Sequence, residues 1–510
     1  RQTRIVMEAV FGVHFGSTVA CLAVCKDGKC DVVANEAGDR VTPAVVAYTD
    51  HEVTVGLPAK QGIIRNASNT VRYVKQLMGR GFEDEHVQRV VSSSPVNIIN
   101  KGGSPCFEVD YKGSTSVFTP QVVATKVFKN VHDIAARQAG KDDTFDTVIT
   151  VPFDYNEKQR QSISEAAEEA GFNILRVISE PAAALLAYDI GQESIYESCY
   201  AVVYKLGGES VDVTVARVTM GMFQILSSVT THEYSGRHFT QQLVDYLAAE
   251  FNRKWKCNCK ENKRSMMKLY NAAETCKHVL STMQTAQCTI DSLYDGIDFQ
   301  CTVSRGRLEG LCSNLVQNCL GFIDDAVKKA GLMHSDINKV VLCGGSSKIP
   351  MLQTKISSSF STAQVLSNLS PDEVIAIGAA KQASILAGHN YEESQENETE
   401  SELPCLAKDI FVEAMEADKR VQEVVLAQWT PVPVRKTYTF KQPADQNDFV
   451  LHIQSGTIGD SVSLAKIILK DISASAEIQA VFHAKGDGSL HVTCSDAGKN
   501  KSQSVTVECT

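Results

Sequence analysis

The sequence predicts an α/β protein of two similar lobes followed by a smaller β-rich region. Three observations carry this reading. First, strand, glycine turn and hydroxyl recur at wide spacing: residues 10–24 around Gly16-Ser17-Thr18, residues 202–216 around Gly207-Gly208 with Ser210, and residues 339–350 around Gly344-Gly345-Ser346. Second, helix-like stretches alternate with short β-rich runs between these turns. Third, residues 389–404 carry Glu392, Glu393, Glu396, Glu398, Glu400 and Glu402 without apolar periodicity, and beyond Ala407 the pattern is short and β-like.

Taken in order, residues 10–24 read as a hairpin and 45–48 as a strand. Residues 68–78 read as a helix ending at Gly79. Thr119-Pro120 supplies a cap and first-turn pair for a long helix over 119–138. Residues 148–151 form a short buried strand, 156–170 a helix closed by Gly171, and 181–188 another helix. The second lobe starts near Cys199, with a hairpin about Gly207-Gly208. Residues 236–280 are mostly helical, as are 307–330, closed by Gly331. A strand at 340–343 and a helix over 372–386 return the chain toward the first lobe. In the β-rich region, residues 408–412, 435–440, 449–454, 476–483 and 489–494 are candidate strands, and Asp487-Gly488 is a hairpin signal.

A chain of 510 residues exceeds one ordinary core. With 43% hydrophobic and 22% charged residues it is globular. A net charge of −10 argues against direct general nucleic-acid binding and against anionic membranes. No run of about 18 apolar residues indicates a spanning helix. The start is basic but lacks an apolar core and cleavage site, so a cytosolic location is expected, with Met7 read as the initiator. The 16 cysteines, among them Cys21, Cys25, Cys199 and Cys343, fall in apolar runs that suit buried reduced thiols. The densest group, Cys257-Asn258-Cys259, has no further ligands at finger-like spacing, so no metal site is expected.

A glycine turn followed by a hydroxyl presents several backbone N–H groups to one anion, and phosphate is the usual guest. Taken singly, each such turn is more often a plain hairpin turn than a phosphate loop. Together they suggest two lobes closing on a nucleotide. Residues 12–386 resemble the nucleotide-binding domain of the heat-shock 70-kDa chaperone family. The likeness includes residues 35–43, Val148-Ile149-Thr150-Val151-Pro152, Ser179-Glu180-Pro181-Ala182 and Ser370-Pro371-Asp372-Glu373. Within the family the chain is most similar to a short, divergent branch that joins a J-domain protein in the mammalian ribosome-associated complex.

The resemblance implies a two-lobed actin-like ATPase domain over 8–388, an acidic linker over 389–404, and a truncated, lid-less β-sandwich of the substrate-binding kind over 405–510. It implies ATP as cofactor. Lys75, Glu180 and Asp212 match residues that position the attacking water and the magnesium. Gly16, Ser17, Thr18, Gly207, Gly208, Ser210, Gly236, Gly344, Gly345 and Ser346 match the phosphate cradle. Glu274, Lys277 and Ser281 match residues around ribose and base, and Asp372 a further site carboxylate. Four departures stand out. His14 and Lys205 occupy the places of two aspartates. His278 and Lys348 replace arginines that lie along the adenine, and lysine lacks their planar surface. An acidic pair has become Arg237-His238. The family's short apolar linker is not found.

Magnesium prefers carboxylate oxygens and the waters they hold. Lys205 is therefore expected to neutralise the polyphosphate itself, leaving magnesium dispensable; the alternative is a dead site that binds nothing. Phosphoryl transfer depends on positioning and electrostatics, so hydrolysis is expected to be slow or absent. The function implied is an ATP-binding chaperone subunit. It would act with a J-domain co-chaperone, reach the ribosome through that partner, and assist nascent polypeptides. The second reading is an active, partner-stimulated ATPase cycling on unfolded peptides. A kinase or filament-forming relative shares the fold but not the chaperone-specific motifs.

Overall fold

The computed structural model describes residues 9–388 apart from 27, 142, 192–198, 220 and 221. It also describes 406–508 apart from 417–418, 429, 431, 433, 442–447, 458–459, 473–475, 486–487 and 497–500. The acidic segment, Asp487 and the residues before Ala9 lie outside the described residues. The chain divides into two compact units, residues 1–394 and 395–510.

The first unit contains two sheets built to one plan. In the first lobe Val10–Phe15 pairs antiparallel with Val19–Lys26, which pairs antiparallel with Lys29–Val32. On its other side Val10–Phe15 pairs parallel with Phe145–Val151, and that strand with Phe172–Ser179. In the second lobe Cys199–Leu206, Val211–Thr219 and Met222–Thr231 form the antiparallel part. Lys339–Cys343 and Gln364–Leu366 then extend it in parallel. Each sheet thus places a glycine turn between its first two strands, at the same point of the topology.

Each lobe has its own apolar core. A third core, of small residues, lies between them, and it includes Ala183, Ala184, Ala376, Ala379 and Ala380. The helices Glu180–Ala187 and Val374–Gly388 supply it. Alanine and glycine let backbones approach closely there: a Cβ at Gly12 would meet Ala380 and Ala376 backbone. This fixed base leaves the turns facing one another across a cleft.

Several helices start at side-chain caps. Thr119 Oγ1 accepts from Val122 N at the head of Pro120–Ala139, and Asn156 and Gln159 form a reciprocal capping box before Glu157–Glu169. The helix expected over 68–78 is not formed. Thr70–Val71 instead pairs as a strand with Val46–Ala47, and Tyr73 has a left-handed backbone at φ 60° that ends any helix. Only a 3₁₀ turn, Val74–Leu77, follows. The expectation of a reduced Cys25 is also corrected. Cys25 and Cys30 stand directly opposite on adjacent strands, Cα atoms 4.1 Å apart, and are joined as a disulfide.

Several elements had no clear sequence signal. They include the three-stranded sheet Asn97–Lys101, Ser104–Tyr111 and Ser114–Phe118, the hairpin Thr285–Tyr294 with Ile297–Ser304, and the helices Glu85–Ser93 and Pro350–Ser359. The second unit holds two four-stranded antiparallel sheets over one apolar core that includes Phe440, Phe449 and Phe482. Its strands Lys419–Leu426, Asp460–Leu469 and Lys501–Glu508 join those expected. Among the described residues no helix is long and apolar enough to cross a membrane.

Candidate nucleotide site

The phosphate end is built on the first strands of the two sheets. His14 is the penultimate residue of one of them, directly beside Thr150 on the neighbouring parallel strand, and its Nδ1 lies 3.0 Å from Thr150 Oγ1. Lys205 holds the equivalent place in the other sheet, between Asp212 and Cys343. Glu180 opens the helix Glu180–Ala187, where the N-terminal dipole favours a carboxylate. Lys75 comes from the 3₁₀ turn after Tyr73 and is 3% exposed.

These four side chains meet. Lys75 Nζ donates to Glu180 Oε1 at 2.7 Å. Lys205 Nζ donates to Glu180 Oε2 and, at 3.2 Å, to Asp212 Oδ2. His14 Nδ1 is 3.7 Å from Glu180 Oε1. Asp212 also accepts from Ser210 Oγ at 2.7 Å and Thr230 Oγ1 at 2.9 Å. Burial would raise the Glu180 carboxyl, but Lys205, Lys75 and His14 outweigh it and hold the group well below the carboxylate range. Burial would lower Lys205, but Asp212 and Glu180 push it well above the ordinary lysine value. Burial does lower Lys75, against the pull of Glu180. His14 is lowered to about 3, chiefly by burial, so its imidazole is neutral at pH 7.

The backbone cradle is knitted by its own hydrogen bonds. Gly207 N donates to Ser210 O at 2.9 Å, closing the turn. Gly236 N and Arg237 N, at the start of the helix Gly236–Trp255, donate to Gly207 O and Gly208 O. Gly344 has φ 81°, a conformation that a side chain would strain. A Cβ at Gly208 would lie 2.5 Å from Thr18 Cγ2 of the other lobe, so glycine lets the two turns close on one another.

The adenosine end centres on the helix Lys263–Thr282. Glu274 Oε2 accepts from Lys277 Nζ at 2.8 Å and from Thr240 Oγ1, and Glu274 Oε1 lies 3.1 Å from His278 Nε2. Burial would raise this carboxyl as well, but Lys277 and His278 hold it below the ordinary range. Lys277 also donates to Gly236 O at 3.1 Å. Ser281 Oγ is turned to Lys277 O, 3.1 Å away. Lys348 Nζ pairs with Asp372 Oδ2 at 2.7 Å, and Ser370 Oγ donates to Asp372 Oδ1.

Two adjoining cavities collect the residues singled out by the sequence. One of about 80 Å³ is lined by His14, Gly16, Lys75, Lys205, Gly207, Ser210, Asp212 and Gly344. One of about 400 Å³ is lined by Gly236, Glu274, Lys277, Ser281, Ser346 and Lys348. Ser17, Thr18, Gly208, Gly345 and Asp372 line both, and Glu180 lines a smaller space behind Lys205. The larger cavity, with a glycine cradle at its inner end, fits a nucleotide.

Sequence reasoning missed Glu209. It stands on the phosphate turn itself, is 6% exposed, accepts from Gln76 Nε2 at 3.3 Å, and lies 3.4 Å from Arg237 Nε. Its Oε1 is buried without a hydrogen-bond partner, and burial raises its carboxyl. The signal was available: a carboxylate inside a glycine–hydroxyl phosphate turn is electrostatically out of place.

The Hsp70 protein family model matches residues 10–510. Heat shock 70 kDa protein 14-A of Xenopus laevis is 44% identical over 510 residues, covering 98% of this chain and 99% of that protein. Heat shock 70 kDa protein 14 of Danio rerio and of Mus musculus are each 44% identical, over 504 and 509 residues, with the same coverage.

Proposed function

The chain belongs to the Hsp70 chaperone family, and on that premise we propose that it holds ATP as a structural ligand, with hydrolysis weak or absent and magnesium dispensable. Family membership implies nucleotide binding. The observation that carries the rest is the place of the Lys205 ammonium. It bridges Glu180 and Asp212, the two carboxylates that the resemblance assigns to a divalent cation. Those carboxylates are satisfied by a resident cation, and a divalent ion there would have to displace it or meet its charge. The set does not fit magnesium.

ATP supplies a polyanion that spans the two lobes. Lys205 and Lys75 stand at its phosphate end, where the polyphosphate would compete with Glu180 and Asp212 for their charge, and the turns about Ser17 and Gly208 close on it from either side. Lys75 is tied to Glu180. A neutral His14 offers none of the charge that an aspartate would use to organise water. Both features support slow or absent turnover. We place this subunit with a J-domain co-chaperone in a ribosome-associated complex in the cytosol, assisting nascent polypeptides. That placement rests on the resemblance to the short, divergent branch.

The second reading, a partner-stimulated ATPase cycling on unfolded peptides, is favoured by one observation. Lys75, Glu180 and Asp212 remain gathered within one hydrogen-bonded cluster.

Equilibrium ATP binding with excess chelator and with magnesium, alongside single-turnover hydrolysis with a J-domain partner, separates the two. We expect equal affinity with and without magnesium in the native chain. In Lys205→Ala, we expect affinity to drop about tenfold or more under chelation, the loss of a charge-assisted phosphate contact. Magnesium-dependent turnover raised by the partner would establish the second reading instead.

A further inference from the structure

One face of the helix Lys263–Thr282 runs beyond the nucleotide cavity into a second one. Lys263, Met267, Tyr270, Glu274 and Lys277 follow at three- and four-residue steps, so they share that face. Glu274 and Lys277 line the 400 Å³ cavity, whereas Lys263 and Met267 line a neighbouring cavity of about 260 Å³. Tyr270 lines both, as do Arg72, Tyr73 and Arg237, so the two spaces adjoin. Glu274 and Lys263 are about 16 Å apart along the helix.

The charge of this annex is one-sided. Arg72, Arg237 and Lys263 line it, together with the phenols of Tyr73 and Tyr270, and no carboxylate does. Arg237 is shared with Glu209 at 3.4 Å. Among the described residues Arg72 and Lys263 have no carboxylate partner, and the Arg72 guanidinium lies 5.1 Å from the centre of the Tyr73 ring. Glu274, the nearest acid on the shared face, is already met by Lys277 and His278. Tyr73 is held there at φ 60°, a conformation that costs energy for an aromatic residue and is tolerated where its placement matters. A solvated basic surface needs neither a concave form, nor two phenols, nor a strained backbone.

Guanidinium forks, an ammonium and phenol donors around a cavity are a phosphate-binding set. We propose that the annex binds a phosphate on a ribose hydroxyl of the adenine nucleotide, in addition to the 5′ chain held by the glycine turns. The inference rests on the nucleotide reading above, which sets the ribose beside Glu274 and Lys277. The preferred ligand class is then an adenosine polyphosphate substituted at the 2′ or 3′ position.

The test is calorimetry on the full chain with ADP, with adenosine 3′-phosphate 5′-diphosphate, with its 2′-phosphate isomer, and with ADP in the presence of inorganic phosphate. At least one of the two ribose phosphates should bind about tenfold more tightly than ADP, the gain expected of one added charge-assisted contact. Lys263→Glu, which reverses a charge at the far end of the annex, should reduce that gain and leave ADP itself unchanged. Arg72→Gln should reduce the ratio of the two affinities in the same direction, which keeps the test independent of either variant alone. ADP binding with no gain from either ribose phosphate overturns this proposal by itself. Equal tightening by free phosphate overturns it too, since the annex would then take a separate anion. Absence of ADP binding brings down the nucleotide reading, and this one with it.

Discussion

The two ends of the cleft treat charge in opposite ways. At the phosphate end a carboxylate and two ammonium groups are buried together: Lys75 and Glu180 are each 3% exposed, and Lys205 reaches both Glu180 and Asp212. At the adenosine end Glu274 meets Lys277 and His278, but its side chain is 26% exposed and the surrounding space is about 400 Å³. The first end is a closed ionic knot that tolerates no missing member. The second is a more open wall: Glu274 is partly exposed and His278 reaches solvent, although Lys277 is buried behind them. The lesson is a division of labour: the knot fixes the lobes' inner faces in register, and the wall is where affinity can be tuned.

The largest expected effect tests that asymmetry directly. Glu180→Gln leaves the buried Lys75 ammonium without its carboxylate partner and Lys205 with Asp212 alone. Breaking a buried pair in this way costs about 3–5 kcal/mol. Glu274→Gln removes a partly exposed carboxylate, and the buried Lys277 ammonium keeps its bonds to Gly236 O and Thr240 Oγ1, so a smaller loss is expected. Urea unfolding of both variants at pH 7 should show the first far below the second in stability. Equal losses would break the comparison, because the phosphate end would then be no more than another solvated pair.

Acid should reveal the next effect. His14 titrates near 3 in the folded chain against an ordinary value of 6.5, so between those values the unfolded chain binds more protons. The stability this confers is fully present above pH 6.5 and is lost as the pH falls toward 3, by up to about 1.4 kcal/mol per pH unit. The depressed Glu180 carboxyl acts in the same sense lower down: its contribution is present above its ordinary value of 4.5 and is lost as the pH falls through its lower folded value. His86 and His238 are also lowered by burial, so the wild-type curve alone does not isolate His14. The difference between wild type and His14→Asn does. Unfolding midpoints from pH 7 to pH 5 should fall less steeply in the variant. Parallel curves would mean that His14 is not buried as a neutral ring.

The sequence made the knot's members legible but not their arrangement. Strand, glycine and hydroxyl are local patterns, so Gly16, Gly207 and Gly344 announced the turns, and caps such as Thr119 announced the helices. Lys205 was expected to face phosphate. Its engagement with Glu180 and Asp212 depends on residues 25 positions before it and 7 after it, which only the folded sheets bring together. The helix expected over 68–78 fails for a related reason. Its apolar spacing is locally acceptable, but Thr70–Val71 is claimed by a strand more than twenty residues earlier. The Tyr73 conformation then turns Lys75 into the cleft. Glu209 was passed over because turn chemistry reads glycines and hydroxyls and leaves aside the residue between them.

The smallest effect sharpens the comparison at its open end. His278 is 64% exposed at its side chain and lies 3.1 Å from Glu274. A neutral imidazole presents a smaller flat surface than a guanidinium and carries no fixed charge. His278→Arg restores a planar cation on a helix face that already lines the nucleotide cavity, and Glu274 is in place to orient it. A cation over an aromatic ring at an exposed site is worth about 0.5–1 kcal/mol. ATP should therefore bind about two- to fivefold more tightly in the variant by calorimetry, with urea stability unchanged. A gain of that size, obtained without touching the buried cluster, is what an open and tunable wall permits. A loss of affinity would show instead that His278 is fitted to its place, and that the adenosine end is as constrained as the phosphate end.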